Sequence, residues 1–372
     1  MKFLHISDLH IGKRVKNYSM LDSQRYVLAQ IIDIINKERP DGVLIAGDIY
    51  DRMNPSEAAI ECLDDFLVKL SETDAEIFVI SGNHDSSGQI AFASRIIASS
   101  GIHMSPVYRG KVTPFTMEDE YGRVNVYMLP FVKPIHVRRC FENEDINDYS
   151  DAVRVAVRNM NIDTDERNIL VAHQFVTGAS VCEVETNVGG LDNVEASSFG
   201  KFDYVALGHI HTAQNIKKDR IRYSGATLKY GFDEKSQKSV TIVNIGEKGN
   251  IDTKTIPLVP LRDFVTIEGN FENIMEQYRY KELNDYVEII LNDEMDVPDA
   301  FRKLNDVFPY LMQIKYNNTR TRSLKEVSEV PDRKELSEME LISSLYEYQN
   351  NQPLNVEQTE YLQKVIGDVM GV

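Results

Sequence analysis

With 372 residues, 42% hydrophobic and 27% charged, the chain has the composition of a folded protein with room for two or three units. No apolar run approaches the roughly 18 residues that a membrane span needs, which excludes membrane insertion. A formal net charge of −17 argues against a protein that coats nucleic acid through a general basic surface, although Lys13-Arg14, Arg138-Arg139 or Lys217-Lys218 could meet a phosphate backbone locally.

In chain order, an apolar run Phe3–Ile6 reads as a strand. A helix over Ser23–Glu38 follows, with Tyr26-Val27, Ile31-Ile32 and Ile34-Ile35 at helical spacing, broken by Pro40-Asp41-Gly42. The strand Val43–Ala46 completes a β-α-β unit. The next repeat has a helix over Pro55–Leu70, capped by Asn54 with proline at its first position, and a strand Ile77–Ile80. A third helix spans Ser87–Ser100. Val124–Leu129 is the clearest strand of the middle stretch, followed by a helix over Asn147–Met160 and the strands Ile169–Ala172 and Tyr204–Leu207. Ile221–Ser224 and Ser239–Ile245 read as hairpin strands that close a first domain at residue 256. The fold class is α/β (α+β), with a mixed sheet covered by helices.

Pro257 and Pro260 punctuate a linker. Residues 263–316 alternate strand, helix, strand, helix and strand, a small α+β unit. Residues 317–335 form a polar linker, and 336–372 carry two amphipathic helical stretches, Leu336–Tyr348 and Asn355–Met370, split by Asn350-Asn351-Gln352-Pro353. A helical pair this small rarely buries its own core, so it either packs back on the body or receives a partner. The three cysteines, Cys62, Cys140 and Cys182, stand far apart and suggest neither a disulfide framework nor a thiolate metal site. The amino terminus enters a polar cluster at residue 8 and leaves no place for a cleavable signal peptide, so the cytoplasm is the expected location.

Most of the eight histidines fall in short polar clusters directly after the apolar runs: Asp8-Leu9-His10, Gly47-Asp48-Ile49-Tyr50-Asp51, Gly82-Asn83-His84-Asp85, His173, and Gly208-His209-Ile210-His211. If those runs are strands of one sheet, its carboxyl edge gathers Asp, Asn and His into one small volume, where open sheets place their sites. Taken singly, each has a simpler reading: Asp8 and Asp48 as turn or capping residues, Asn83 as a turn residue, His173 as a satisfied core histidine. Hard and borderline donors without thiolate suit Mn, Fe or Zn. Two such ions roughly 3.5–4 Å apart clamp the entering and leaving oxygens of a displacement at phosphorus, so phosphoester hydrolysis is the natural chemistry.

The ordered set Asp-x-His, Gly-Asp, Gly-Asn-His-Asp, a lone His after a strand, and Gly-His-x-His resembles the calcineurin-like metallophosphoesterase superfamily. The texture of Met1 to Lys13 and of Ala206 to His211, with the three-part layout, is similar to its SbcD branch of bacterial DNA nucleases. The resemblance implies a mixed β-sandwich flanked by helices, a small α+β capping domain and a carboxyl-terminal helical segment that binds the coiled coil of an SMC-like ATPase. It implies Asp8, His10 and His211 as ligands of one metal, Asn83, His173 and His209 as ligands of the other, and Asp48 as their bridge. His84 would protonate the leaving oxygen, and Asp51 stands where phosphatase relatives place an acid that orients it. Implied too are two divalent ions, Mn2+ foremost, a DNA substrate and a homodimer through the nuclease domain. Asp85 reads equally as a cap or loop acid, and His5, His103 and His136 fall outside the pattern.

Three functions remain open on sequence: a Mn-dependent DNA nuclease acting with an ATPase, a phosphatase on small molecules or phosphoproteins with the same core, and a scaffold with a relict site. The metal set does not separate the first two, because fold and core do not fix the substrate. The tail favours the nuclease, and the intact ligand set counts against the scaffold.

Overall fold

The computed structural model describes residues 1–180, 193–217 and 220–321, with isolated positions between 339 and 365. Cys182, Lys218, and most of the expected linker and helical pair at 317–372 lie outside the described residues. The chain divides into two compact units, Met1–Val265 and Thr266–Val372.

In the first unit, two six-stranded sheets pack face to face. One runs in the order Ile251–Pro257, Ser239–Ile245, Lys2–Ile6, Gly42–Ala46, Glu76–Ile80, Ile102–Met104; the other runs Gln214–Lys217, Ile221–Tyr223, Tyr204–Gly208, Arg167–His173, Gly122–Leu129, Phe115–Asp119. The central strands of each are parallel. Phe3, Leu44, Ala46, Phe78 and Ile80 of the first meet Val124, Val126, Ile169, Val171, Tyr204 and Ala206 of the second in one buried cluster. Leu170, Ala172, Val205 and Leu207, on the opposite face of the second sheet, pack with Ala152, Val153 and Ala156 of the helix Tyr149–Arg158. Strands buried on both faces read as continuous apolar runs, which is why the sequence marks them so clearly.

The five apolar runs therefore do not share one sheet. Three belong to the first and two to the second, because burial is legible in a run while hydrogen-bonding neighbours are not. Ile221–Tyr223 and Ser239–Ile245 likewise do not pair with each other; the first is antiparallel to Gln214–Lys217, the second to both Ile251–Pro257 and Lys2–Ile6. The helix Glu57–Ser71 starts later than expected. Its cap is Ser56, whose side chain accepts from the Ala59 N–H, rather than Asn54. The single helix expected over Ser87–Ser100 is broken into Ser87–Ile90, Ser94–Ile97 and a short 3-10 turn, with Ala93 at φ 57° between the first two pieces. The left-handed conformation cannot continue a right-handed helix.

In the second unit, Tyr286–Leu291 and Leu311–Tyr316 pair in parallel, and Phe264–Gly269 completes a three-stranded sheet. The helices Phe271–Tyr278 and Ala300–Asn305 contribute Phe271, Ile274 and Leu304 to a core with Val287, Ile289, Leu291 and Leu311.

Candidate metal centre

All five polar clusters meet at the carboxyl edge shared by the two sheets. The chain leaving Ile6 runs beside the chain leaving Ala46, with Asp8 N–H donating to Gly47 O (3.1 Å) and His10 N–H to Asp48 O (2.9 Å). Asp8, His10 and Asp48 adopt positive φ of 52°, 45° and 48°, and His209 stands at 105°. Strand residues face alternate sides; these left-handed residues break the alternation and turn the chain out of the sheet. Two glycines allow the loops to close up. A Cβ on Gly82 would lie 2.1 Å from Asp48 Oδ1, and one on Gly208 would lie 1.9 Å from Ala46 O, a contact between the two sheets.

The donor atoms fall into two sets. Asn83 Oδ1 lies 2.9 Å from both His173 Nε2 and His209 Nδ1. His10 Nε2 lies 3.1 Å from His211 Nε2, and Asp8 groups with both within 4.8 Å. Asp48 Oδ2 faces both sets, 3.3 Å from His173 Nε2 and 3.7 Å from His10 Nε2. Asp8, His10, Asp48, His173 and His211 are buried, while Asn83, His84 and His209 are half-buried. Among the described residues neither Asp8 nor Asp48 pairs with Lys or Arg. Two carboxylates buried with no neighbouring ammonium or guanidinium are costly, and two imidazole nitrogens facing at hydrogen-bond distance compete for one proton. A divalent cation in each set relieves both, so these residues fit a pair of hard or borderline ions.

The titration behaviour has the same origin. Burial pushes the Asp8 carboxyl up to about 6 against the pull of His173 and His211. Burial also drives His10 well down. It opposes the charge on His173, but the Asp48 and Asp8 carboxylates outweigh it and raise that pKa to about 9.

His84 donates its main-chain N–H to Asp48 Oδ1 at 2.9 Å. Its ring Nδ1 lies 2.9 Å from the Asp51 main-chain oxygen. A carbonyl only accepts, so Nδ1 carries the hydrogen and Nε2 is left free. The link from Asp51 to His84 thus runs through the backbone, not the carboxylate expected from phosphatase relatives. That carboxylate is taken by Lys13 Nζ at 2.7 Å, with Arg52 Nε at 3.5 Å and His10 Nδ1 at 3.8 Å. Asp85 is a loop acid: its buried carboxylate accepts from the N–H groups of Ile49, Tyr50 and Gly82, tying two loops together. His5 bridges the sheets, its Nδ1 2.9 Å from Tyr204 Oη and Nε2 3.2 Å from Leu207 O. His103 pairs with Glu76, and His136 lies in the first turn of the helix Pro134–Arg138.

Four supporting residues carry no motif. Tyr230 Oη donates to Leu9 O at 2.6 Å and accepts from Gln24 Nε2 at 3.1 Å, with its ring edge-on to His10 and His211. Glu234 and Lys238 form a buried pair beside His211. Gln24 alone left a trace in the sequence, as a polar side chain on the apolar face of the helix Leu21–Glu38.

Residues 1–213 match the calcineurin-like phosphoesterase family, and residues 260–350 match the type 5 capsule protein repressor C-terminal domain. The SbcD subunit of the nuclease SbcCD from Staphylococcus epidermidis is 29% identical over 377 residues, covering 100% of this chain and 99% of that protein. Two solved structures align more distantly. TT1561 of Thermus thermophilus has 11% identity and TM-score 0.40, covering 68% of this chain and 98% of that one. A dimetal phosphatase from Danio rerio has 14% identity and TM-score 0.36, covering 69% and 99%. The chain belongs to the calcineurin-like phosphoesterase family and is SbcD-like over its whole length.

Proposed function

We propose that this protein is a Mn-dependent DNA nuclease, a 3′ to 5′ exonuclease on duplex ends and an endonuclease on single strands and hairpins. The observation that carries the substrate is the likeness over the whole chain, tail included, to a protein named as part of a nuclease. In this reading Asp8, His10 and His211 hold one ion, Asn83, His173 and His209 the other, and Asp48 serves both. When bound, two such ions supply Lewis acidity at the phosphate and an activated water. The chain's own part is to orient and to move a proton. His84, its Nδ1–H fixed on Asp51 O, presents Nε2 to the leaving oxygen, and in the imidazolium form Nε2 carries the proton that is passed to that oxygen, leaving the neutral Nδ1–H ring. Asp51 acts through that main-chain oxygen, and its carboxylate anchors Lys13.

Residues 1–256 form the nuclease domain and 263–316 the capping domain. Residues 336–372 bind the coiled coil of an SbcC-type SMC-like ATPase, and the nuclease domains pair as a homodimer within a heterotetramer. The complex works in the cytoplasm in double-strand break processing, recombination and replication.

A cleavage assay with Mn2+ on labelled duplex DNA, hairpin DNA and a generic phosphomonoester tests the substrate. Turnover of the monoester alone would make the protein a phosphatase. His84→Ala is expected to lower DNA cleavage by about 10²–10⁴-fold with Mn content unchanged; retained cleavage would remove His84 from the reaction.

A further inference from the structure

Resting on the two-ion reading above, we propose that Glu234, locked by Lys238, is the positioning residue for His211 and sets the affinity of one of the two metal positions. Glu234 has no exposed side-chain surface and pairs with Lys238, whose side chain is 7% exposed. Its Oε1 accepts the Tyr230 N–H at 2.9 Å and lies 3.6 Å from His211 Nδ1. Lys238 Nζ donates to His211 O at 2.8 Å. The pair therefore meets His211 twice, by a charge contact to its ring and by a hydrogen bond to its main chain.

The ring contact, at 3.6 Å a charge contact rather than a hydrogen bond, favours one tautomer. A carboxylate only accepts, so it favours hydrogen on the nitrogen turned toward Glu234, which leaves Nε2 its lone pair facing His10 Nε2 3.1 Å away. That is the form a metal ligand needs, and a carboxylate behind a ligating imidazole also raises its basicity. A plain structural pin explains less. Residues 231–238 form no helix or strand, so the pair supports no regular element. A buried ion pair is generally no more stabilising than a well-packed apolar pair. The other set needs no such device, because the Ala46 main-chain oxygen already occupies His173 Nδ1 at 2.8 Å.

The test uses the full chain stripped of metal, titrated with Mn2+ by calorimetry, with bound Mn counted after gel filtration. The wild type takes two ions. Glu234→Gln is expected to weaken one position by about 10–100-fold and leave the other unchanged. The double variant Glu234→Gln/Lys238→Gln, which leaves no unpaired buried charge, is expected to lose the same single position. Long-range proton–nitrogen NMR on histidine-labelled, metal-free protein is expected to show His211 in the Nδ1–H form, and a mixed tautomer in Glu234→Gln. A Glu234→Gln protein that binds both ions at wild-type affinity, loses both equally, or keeps the wild-type tautomer overturns the inference and leaves the two-ion reading standing. A wild-type chain that binds no Mn2+ overturns that reading, and this inference with it.

Discussion

His173 rests against a main-chain oxygen, Ala46 O, 2.8 Å from its Nδ1, whereas His211 faces the side chain of Glu234 at 3.6 Å. The contrast extends to the whole of each donor set. The set of Asn83, His173 and His209 is framed by backbone: the strand ends after Ala46 and Ala172, and the close passage of Gly208 over Ala46. The set of Asp8, His10 and His211 leans on side chains from residues 224–238. Ser224 Oγ lies 2.8 Å from Ser7 Oγ, which donates to Asp8; Tyr230 braces the chain at Leu9; and Lys238 holds the His211 carbonyl. Backbone support follows from strand pairing alone, while side-chain support must be supplied one residue at a time. The first set is thus the more tolerant of sequence change around it, and the second the more tunable.

The largest effect should come from breaking both sets at once. Gly208→Ala puts a methyl group 1.9 Å from Ala46 O and 2.8 Å from His173 Nδ1, with Ser7 Cβ at 2.9 Å. The sheets must separate at the edge that carries every donor. Urea unfolding should show a loss of about 3 kcal/mol, and Mn2+ titration should show both positions lost; two ions still bound would mean the sheet contact does not assemble the site. Tyr230→Phe should separate the sets. It leaves Leu9 O and Gln24 without their hydroxyl, at a cost of about 1–2 kcal/mol. Only the position served by His10 should bind Mn2+ more weakly, and equal weakening of both would erase the distinction.

The third effect depends on pH and lies beneath both sets. Burial, helped by the charge of Arg222, lowers the His5 pKa to about 3 from its ordinary 6.5. The folded protein excludes a proton that the unfolded chain accepts, so this contribution is fully present above pH 6.5 and is lost as pH falls toward 3. The slope reaches about 1.4 kcal/mol per pH unit. His5→Gln should flatten the fall in stability between pH 6 and pH 4, measured by urea unfolding in chelator. An unchanged slope would show that His5 takes up its proton in the folded state.

The same contrast explains what the sequence disclosed. Strands such as Val43–Ala46 were legible because burial on both faces makes them uniformly apolar, and the polar residues after them stood out for that reason. Ile251–Pro257 was not, because an edge strand of alternating Ile, Asp, Thr and Lys has only one face to bury. Ala93 carries no glycine or proline signal for the break at its position. Asp51 stands beside His84 through its main-chain oxygen rather than the expected carboxylate, a contact that leaves no mark on residue type. Glu234 and Lys238 gave no signal either: in a chain this rich in charge, a Glu four residues before a Lys looks like surface.

The left-handed backbone at Asp8, His10, Asp48 and His209 has a consequence for anyone who would engineer the protein. Each such residue costs of the order of 1–3 kcal/mol, and glycine would relieve that strain at every one of the four. A selection for heat resistance alone is therefore drawn toward the residues proposed to hold the ions, so the fold's easiest gains in endurance and its proposed chemistry lie at the same addresses. A library built for robustness must hold those four codons fixed and seek its improvements elsewhere.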